Sequence, residues 1–152
     1  MTQQPDPAEV FLELLNGVAA GKGEELALLY AEDTRVIHPL DPMRSPALRT
    51  RDELAKHFKE PLDGSGPQIR LQPTNVVIHQ TLDPEVIITE FEYIATIAKT
   101  NATVALPCIF VMRVRDGKIV SSRDYTDHLG LAIALGDVDW LNRAAKSAAY
   151  QA

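Results

Sequence analysis

Val111 to Asp127, V-M-R-V-R-D-G-K-I-V-S-S-R-D-Y-T-D, reads as two strands joined by a tight turn. The turn is Arg115-Asp116-Gly117-Lys118, because Asp-Gly tolerates the positive φ angles that tight hairpin turns demand. Residues Thr103 to Arg115 before it and Ile119 to Tyr125 after it carry the Val, Ile, Phe and Ser expected of strands. A hairpin of this length must place one face on a core.

Two further strands precede it. Residues Glu85 to Lys99 are rich in Val, Ile, Thr, Phe and Tyr. Residues Ile69 to Thr81 alternate in part, and Pro73 assigns the start of that strand to a sheet edge or bulge. Upstream, Pro61 and the cluster Asp63-Gly64-Ser65-Gly66-Pro67 predict a turn-rich connection. Thr50 caps a helix before it, with Glu53 at the third position and Leu54, Ala55 and Phe58 as the apolar stripe. Leu40 to Leu48 contains three prolines and predicts a loop, preceded by a short strand from Thr34 to His38. Residues Glu24 to Ala31 predict a second helix with Leu26, Leu29 and Tyr30 inward. The first helix starts at Asp6-Pro7, with Glu9 completing a capping box and Val10, Phe11, Leu14, Leu15 and Val18 on one face. Gly21 and Gly23 end it. After the hairpin, Leu129 to Ala149 predicts a helical tail containing Trp140 and interrupted at Gly136-Asp137. Helices gathered before an antiparallel sheet predict an α+β layer packing, with the sheet curled around three N-terminal helices. Residues 1–152 read as one domain with 129–152 as its tail.

Composition narrows the functions. The 152 residues are 45% hydrophobic and 24% charged, with a net charge of -6. An acidic chain whose Lys and Arg are scattered lacks the clustered positive charge that nucleic acid or an anionic membrane surface requires. The single cysteine, Cys108, excludes an internal disulfide and a cysteine-based zinc site. No signal-peptide pattern and no membrane-spanning apolar run is present, so a soluble, cytoplasmic protein is expected. No metal-ligand spacing and no glycine-rich phosphate loop occurs, and no cofactor is expected.

Two motifs carry a resemblance. Leu26 to Pro39, L-A-L-L-Y-A-E-D-T-R-V-I-H-P, and the hairpin Val111 to Asp127 together resemble the opening and closing elements of SnoaL-like and ketosteroid isomerase-like proteins. These belong to the nuclear transport factor 2-like superfamily, and the resemblance spans roughly Ala8 to Leu131. It implies a cone-shaped, cystatin-like α+β barrel with a deep apolar pocket between sheet and helices. It also implies a homodimer through the outer sheet face. Members include polyketide cyclases, steroid isomerases, epoxide hydrolases, dehydratases and phenazine-pathway enzymes, besides inert binding and dimerisation modules. Fold alone therefore does not select a chemistry.

Strand alternation places candidate side chains in that pocket. Val120, Ser122 and Asp124 share one face of the last strand, with Ile119, Ser121 and Arg123 on the other. Val36 and His38 share a face of the short strand. Asp124 matches a position where enzymes of the superfamily keep an acidic base, and His38 one that holds a carboxylate or a water-binding amide. A histidine and a buried carboxylate in one cavity form an acid/base pair. Tyr93 is placed to donate a hydrogen bond to a ligand oxygen. Phe91, Phe110, Met112, Cys108, Ser122, Val36 and Phe11 are expected to line the ligand wall. Each has a plainer alternative: His38 bonded to backbone, Asp124 paired with Arg123 or a loop amide, and Tyr93 and the wall residues as core. Asp127 is expected to cap the tail helix or to reach the cavity mouth, and His57 and His79 are expected to be solvated.

The known chemistries of the resemblance fit unequally. Steroid isomerases place a tyrosine on the first helix and an aspartate on the strand before the last, where this chain has Phe11 and Phe110 or Ile109. Epoxide hydrolases use an Arg-x-Asp pair where this chain has Phe91 and Tyr93. Cyclase-type and phenazine-type patterns need only a pocket acid/base and an aromatic lining. The expectation is an enzyme acting on a small, largely apolar, carbonyl-bearing or cyclic molecule by isomerisation, cyclisation or dehydration. The alternative is a non-catalytic ligand-binding or dimerisation module.

Overall fold

The computed structural model describes residues 4–59, 69–147 and 150. The turn-rich cluster from Pro61 to Pro67, and Ala148 and Ala149 at the end of the tail, lie outside the described residues. Helix α1 (Pro7–Ala19) begins with the capping box read from the sequence: the Glu9 amide donates to Asp6 Oδ1 at 2.9 Å and the Asp6 amide to Glu9 Oε2 at 2.9 Å. It buries Val10, Phe11, Leu14 and Leu15 against strands β3 (Ile69–Gln80), β4 (Val86–Ile97) and β5 (Ala102–Arg115). Gly17 is required where α1 meets the next segment, since a Cβ there would stand 2.4 Å from Leu26 Cδ2.

That next segment differs from the expected helix Glu24–Ala31. It is a 3₁₀ helix, Gly23–Leu29, and strand β1 (Tyr30–Ile37) starts at Tyr30. The cause is a competitor for the Tyr30 carbonyl. Arg51 donates to it from Nε at 3.1 Å and Nη2 at 2.9 Å, satisfying an acceptor that a continuing helix would have used. The predicted loop also ends in a short strand, β2 (Leu48–Thr50), before helix α2 (Arg51–Lys59). Thr50 caps α2 as expected, accepting from the Glu53 amide at 3.1 Å.

One six-stranded sheet runs β2-β1-β6-β5-β4-β3, with β6 spanning Lys118–Thr126, and it curves around α1. All neighbours are antiparallel except β1 and β6, which run parallel. Pro73 sits on β3, the sheet edge, where its missing N–H breaks no central ladder. The Asp116-Gly117 turn has φ of 52° and 71°, as its sequence requires. The tail forms α3 (His128–Leu135) and α4 (Val138–Ala145), broken at Gly136 in the left-handed conformation.

Strand β6 departs from simple alternation. Its register slips between Arg113 and Val114, leaving Val120 as the extra residue of a bulge. Ile119, expected to face outward, is therefore completely buried on the same side as Ser122 and Asp124. Val120, expected to share the face of Ser122 and Asp124, is only half-buried. The slip ends before Ser122, so the inward direction of Asp124 is unaffected.

Candidate active site

Parallel pairing of β1 with β6 brings the ends of the two strands together. Val36 lies beside Ser122, and Ile37 beside Arg123, so His38 and Asp124 meet one step further on. His38 Nε2 stands 3.9 Å from Asp124 Oδ2. That is beyond hydrogen-bonding distance, and the gap is one that a third group can bridge. The loop after His38 is held rigid by Asp41. Its carboxylate accepts from the Met43 amide at 2.8 Å and the Ser45 amide at 3.0 Å, while the His38 carbonyl accepts from the Asp41 amide at 3.0 Å.

Asp124 is buried, and the Ser122 hydroxyl donates to its Oδ1. Burial disfavours the charged form and pushes the carboxyl from 3.8 up to about 7, against the opposing pull of the Ser122 hydrogen bond. Burial, with His57 and His128 beside it, holds the His38 imidazolium down from 6.5 to about 4, against a smaller opposing effect of Asp41. The contact is therefore not an ion pair. Between these two values both groups are neutral, and above about 7 a carboxylate faces a neutral imidazole.

Two histidines flank His38, and neither was assigned to the site from sequence. The His57 ring of α2 lies 5.2 Å from the His38 ring, tilted by 32°, so it is packed on the site although exposed. The His128 ring lies 6.2 Å away, edge-on, with Nδ1 donating to the Thr126 carbonyl at 2.9 Å. His79 pairs with Glu90 at 2.6 Å on the outer face. Asp127 caps α3, accepting from the Gly130 amide at 2.8 Å. Among the described residues, no group of three His, Cys, Asp or Glu side chains converges as a metal site.

The wall beyond Asp124 is aromatic. Phe91 contacts Tyr93 and Phe110 at 5.0 Å each and Phe11 at 5.5 Å, all edge-to-face. Met112 and Cys108 are buried in the same cluster. Cys108 donates its thiol hydrogen to the Leu106 carbonyl at 3.4 Å, and burial pushes its pKa up to about 11, so it stands as a thiol and not a nucleophilic thiolate. Tyr93 is buried, and burial, with Cys108 and Asp124 nearby, raises its phenol well above the ordinary value. It is a neutral donor at every relevant pH.

A model of the SnoaL-like domain matches residues 11–122, most of the chain. The protein belongs to the SnoaL-like family. Its structure is similar to that of a proposed isomerase from Bacillus subtilis, with a TM-score of 0.74, 21% identity, and 85% of this chain and 91% of the other covered. It is also similar to a phenazine biosynthesis-related protein from Pseudomonas aeruginosa, with a TM-score of 0.68, 19% identity and coverage of 85% and 84%. A proposed polyketide cyclase from Pseudomonas putida aligns with a TM-score of 0.66, 17% identity and coverage of 84% and 96%. At these identities the likeness shows the fold. Comparison with curated proteins finds no match.

Within this SnoaL-like chain, the family match ends at Ser122, two residues before the carboxylate that dominates the site's electrostatics. The described surface concavities lie elsewhere. One groove of about 350 Å³ runs over the outer sheet face past Val77, Glu90, Glu92 and Ile109. Another, of about 260 Å³, lies between Pro42 and the tail at Leu141, Ala144 and Tyr150. No helix among the described residues is long and apolar enough to cross a membrane.

Proposed function

We propose that this SnoaL-like protein is an acid/base enzyme of isomerase or cyclase type. Its substrate is a small, largely apolar molecule bearing a carbonyl group or ring. Asp124 takes a proton from carbon next to the carbonyl and returns it. His38, neutral at working pH, hydrogen-bonds the substrate or a bridging hydroxyl across the 3.9 Å gap. Tyr93 donates to the substrate oxygen as negative charge develops there. One observation carries this reading: a buried carboxyl with its pKa raised to about 7 faces a histidine at the edge of an aromatic wall. A general base works best when its pKa lies near the operating pH, and such placement contributes about 10²- to 10⁴-fold in rate.

The test requires no knowledge of the final product. Small cyclic ketones are incubated with the protein in D₂O, and loss of the protons next to the carbonyl is followed by NMR. The wild type accelerates exchange, and Asp124→Asn, with native circular dichroism, slows it by about 10²-fold or more. Exchange by Asp124→Asn at the wild-type rate overturns the mechanism.

The contact of Phe11, Phe91 and Phe110 at ring spacings of 5.0 to 6.3 Å favours a second reading, in which the interior is mainly filled and the domain binds without turnover. Ketones that raise the melting temperature but never exchange support that reading.

A further inference from the structure

Tyr30 opens β1 and is only 1% exposed, yet its hydroxyl has no hydrogen-bond partner among the described residues. The sole fully enclosed side-chain polar atom without a partner among those residues is Ser147 Oγ. The Tyr30 oxygen is therefore not sealed in apolar packing but reaches space that a small molecule can touch. A buried phenol normally finds an acceptor, because leaving it unpaired costs free energy. The acceptor belongs in that space. The hydroxyl is near enough to Asp124 and Tyr93 for their charges to raise its pKa beyond what burial does, which places it in the Asp124 site and not against the outer surface. Its backbone is held by the two Arg51 hydrogen bonds and its ring lies 5.9 Å from Phe58, so the phenol is fixed before any ligand arrives. Tyr93 shares the condition: buried, and its hydroxyl without a partner among the described residues.

Resting on the acid/base reading above, we propose that Tyr30 is a second ligand-binding donor, whose buried, unpartnered hydroxyl hydrogen-bonds the carbonyl oxygen of the molecule held beside Asp124. The site then takes compounds whose oxygen accepts from two phenols and disfavours hydrocarbons of the same shape. A site built around donors rejects a ligand lacking the acceptor, because the donors are left unpaired.

The experiment compares acetophenone with ethylbenzene, which has nearly the same shape and no acceptor. Binding is followed in protein labelled with ¹³Cζ-tyrosine, assigned with Tyr30→Phe and Tyr93→Phe. Acetophenone is expected to shift the Tyr30 resonance in wild-type protein, whereas ethylbenzene leaves it in place. Tyr30→Phe is expected to weaken acetophenone about 3- to 10-fold, the value of one hydrogen bond, with ethylbenzene unaltered. The wild-type resonance decides the matter even if the variant fails to fold. A Tyr30 signal unmoved by acetophenone while the Tyr93 signal shifts removes Tyr30 from the site and leaves the acid/base reading intact. Failure of both compounds to bind the wild type removes both.

Discussion

Burial acts on Asp124 and His38 in opposite directions, and stability should register both. Asp124 has a folded pKa of about 7, above its ordinary 3.8, so the folded state holds more protons across that interval. Its contribution is present at low pH and is lost as pH rises through about 7. His38 has a folded pKa of about 4, below its ordinary 6.5, so the unfolded state holds more protons. Its contribution is present above 6.5 and is lost as pH falls through about 4. Over the shared interval the two slopes nearly cancel in the wild type. Asp124→Asn should leave the histidine slope, with stability rising from pH 4 to 6.5. His38→Gln should leave the aspartate slope, with stability falling from pH 4 to 7. Each slope amounts to a few kcal/mol over its window, at about 1.4 kcal/mol per pKa unit. Urea melts across that range check both. At this scale the pair itself was legible, because period-two alternation and the two motifs place both side chains inward. His57 and His128 were not, since nothing local in the sequence reports that α2 and the start of α3 close over His38. Tyr30 was read as inward but as plain core, because an unpaired hydroxyl is visible only once its surroundings are known.

Among the elements, α3 is held in place chiefly at its start. Asp127 caps it and Gly130 makes the cap possible, since a Cβ at Gly130 would lie 2.2 Å from Asp127 Oδ2. Asp127→Ala should cost about 1 kcal/mol of stability, the usual value of a lost N-cap. It should also loosen His128 beside His38, seen as broadening of the His128 ring signals by NMR. The caps at Asp6, Thr50 and Asp127 and the Asp116-Gly117 turn could all be read in the sequence because each depends on neighbours within three or four residues. The bulge at Val120 could not, since Ile119-Val120-Ser121 alternates acceptably either way and only pairing with Val114 and Arg113 decides it. The 3₁₀ helix and early start of β1 escaped for a similar reason: Arg51, far along the chain, takes the Tyr30 carbonyl.

For the whole molecule, the helix-then-sheet order and the clean alternation of β4 made the α+β architecture readable, whereas the parallel contact of β1 with β6 emerges only from closing the sheet. The outer face presents Val77, Glu90 and Ile109 in one row across β3, β4 and β5, with Val77 49% and Ile109 43% exposed. The homodimer that we propose uses this face, where an apolar row is available to a second copy. Ile109→Lys should convert the dimer to monomer in sedimentation equilibrium at micromolar concentration without altering circular dichroism. A wild-type monomer under the same conditions removes the dimer and leaves the site in β1 and β6 untouched. The functional account itself depends on Asp124 being a proton carrier at neutral pH. The direct measurement is the ¹³Cγ chemical shift of Asp124 against pH, assigned by Asp124→Asn. The account predicts a midpoint near 7, moving upward by about one unit in Ser122→Ala as the hydrogen bond to the carboxylate is lost. A midpoint near the ordinary 3.8, unmoved by Ser122→Ala, would contradict it.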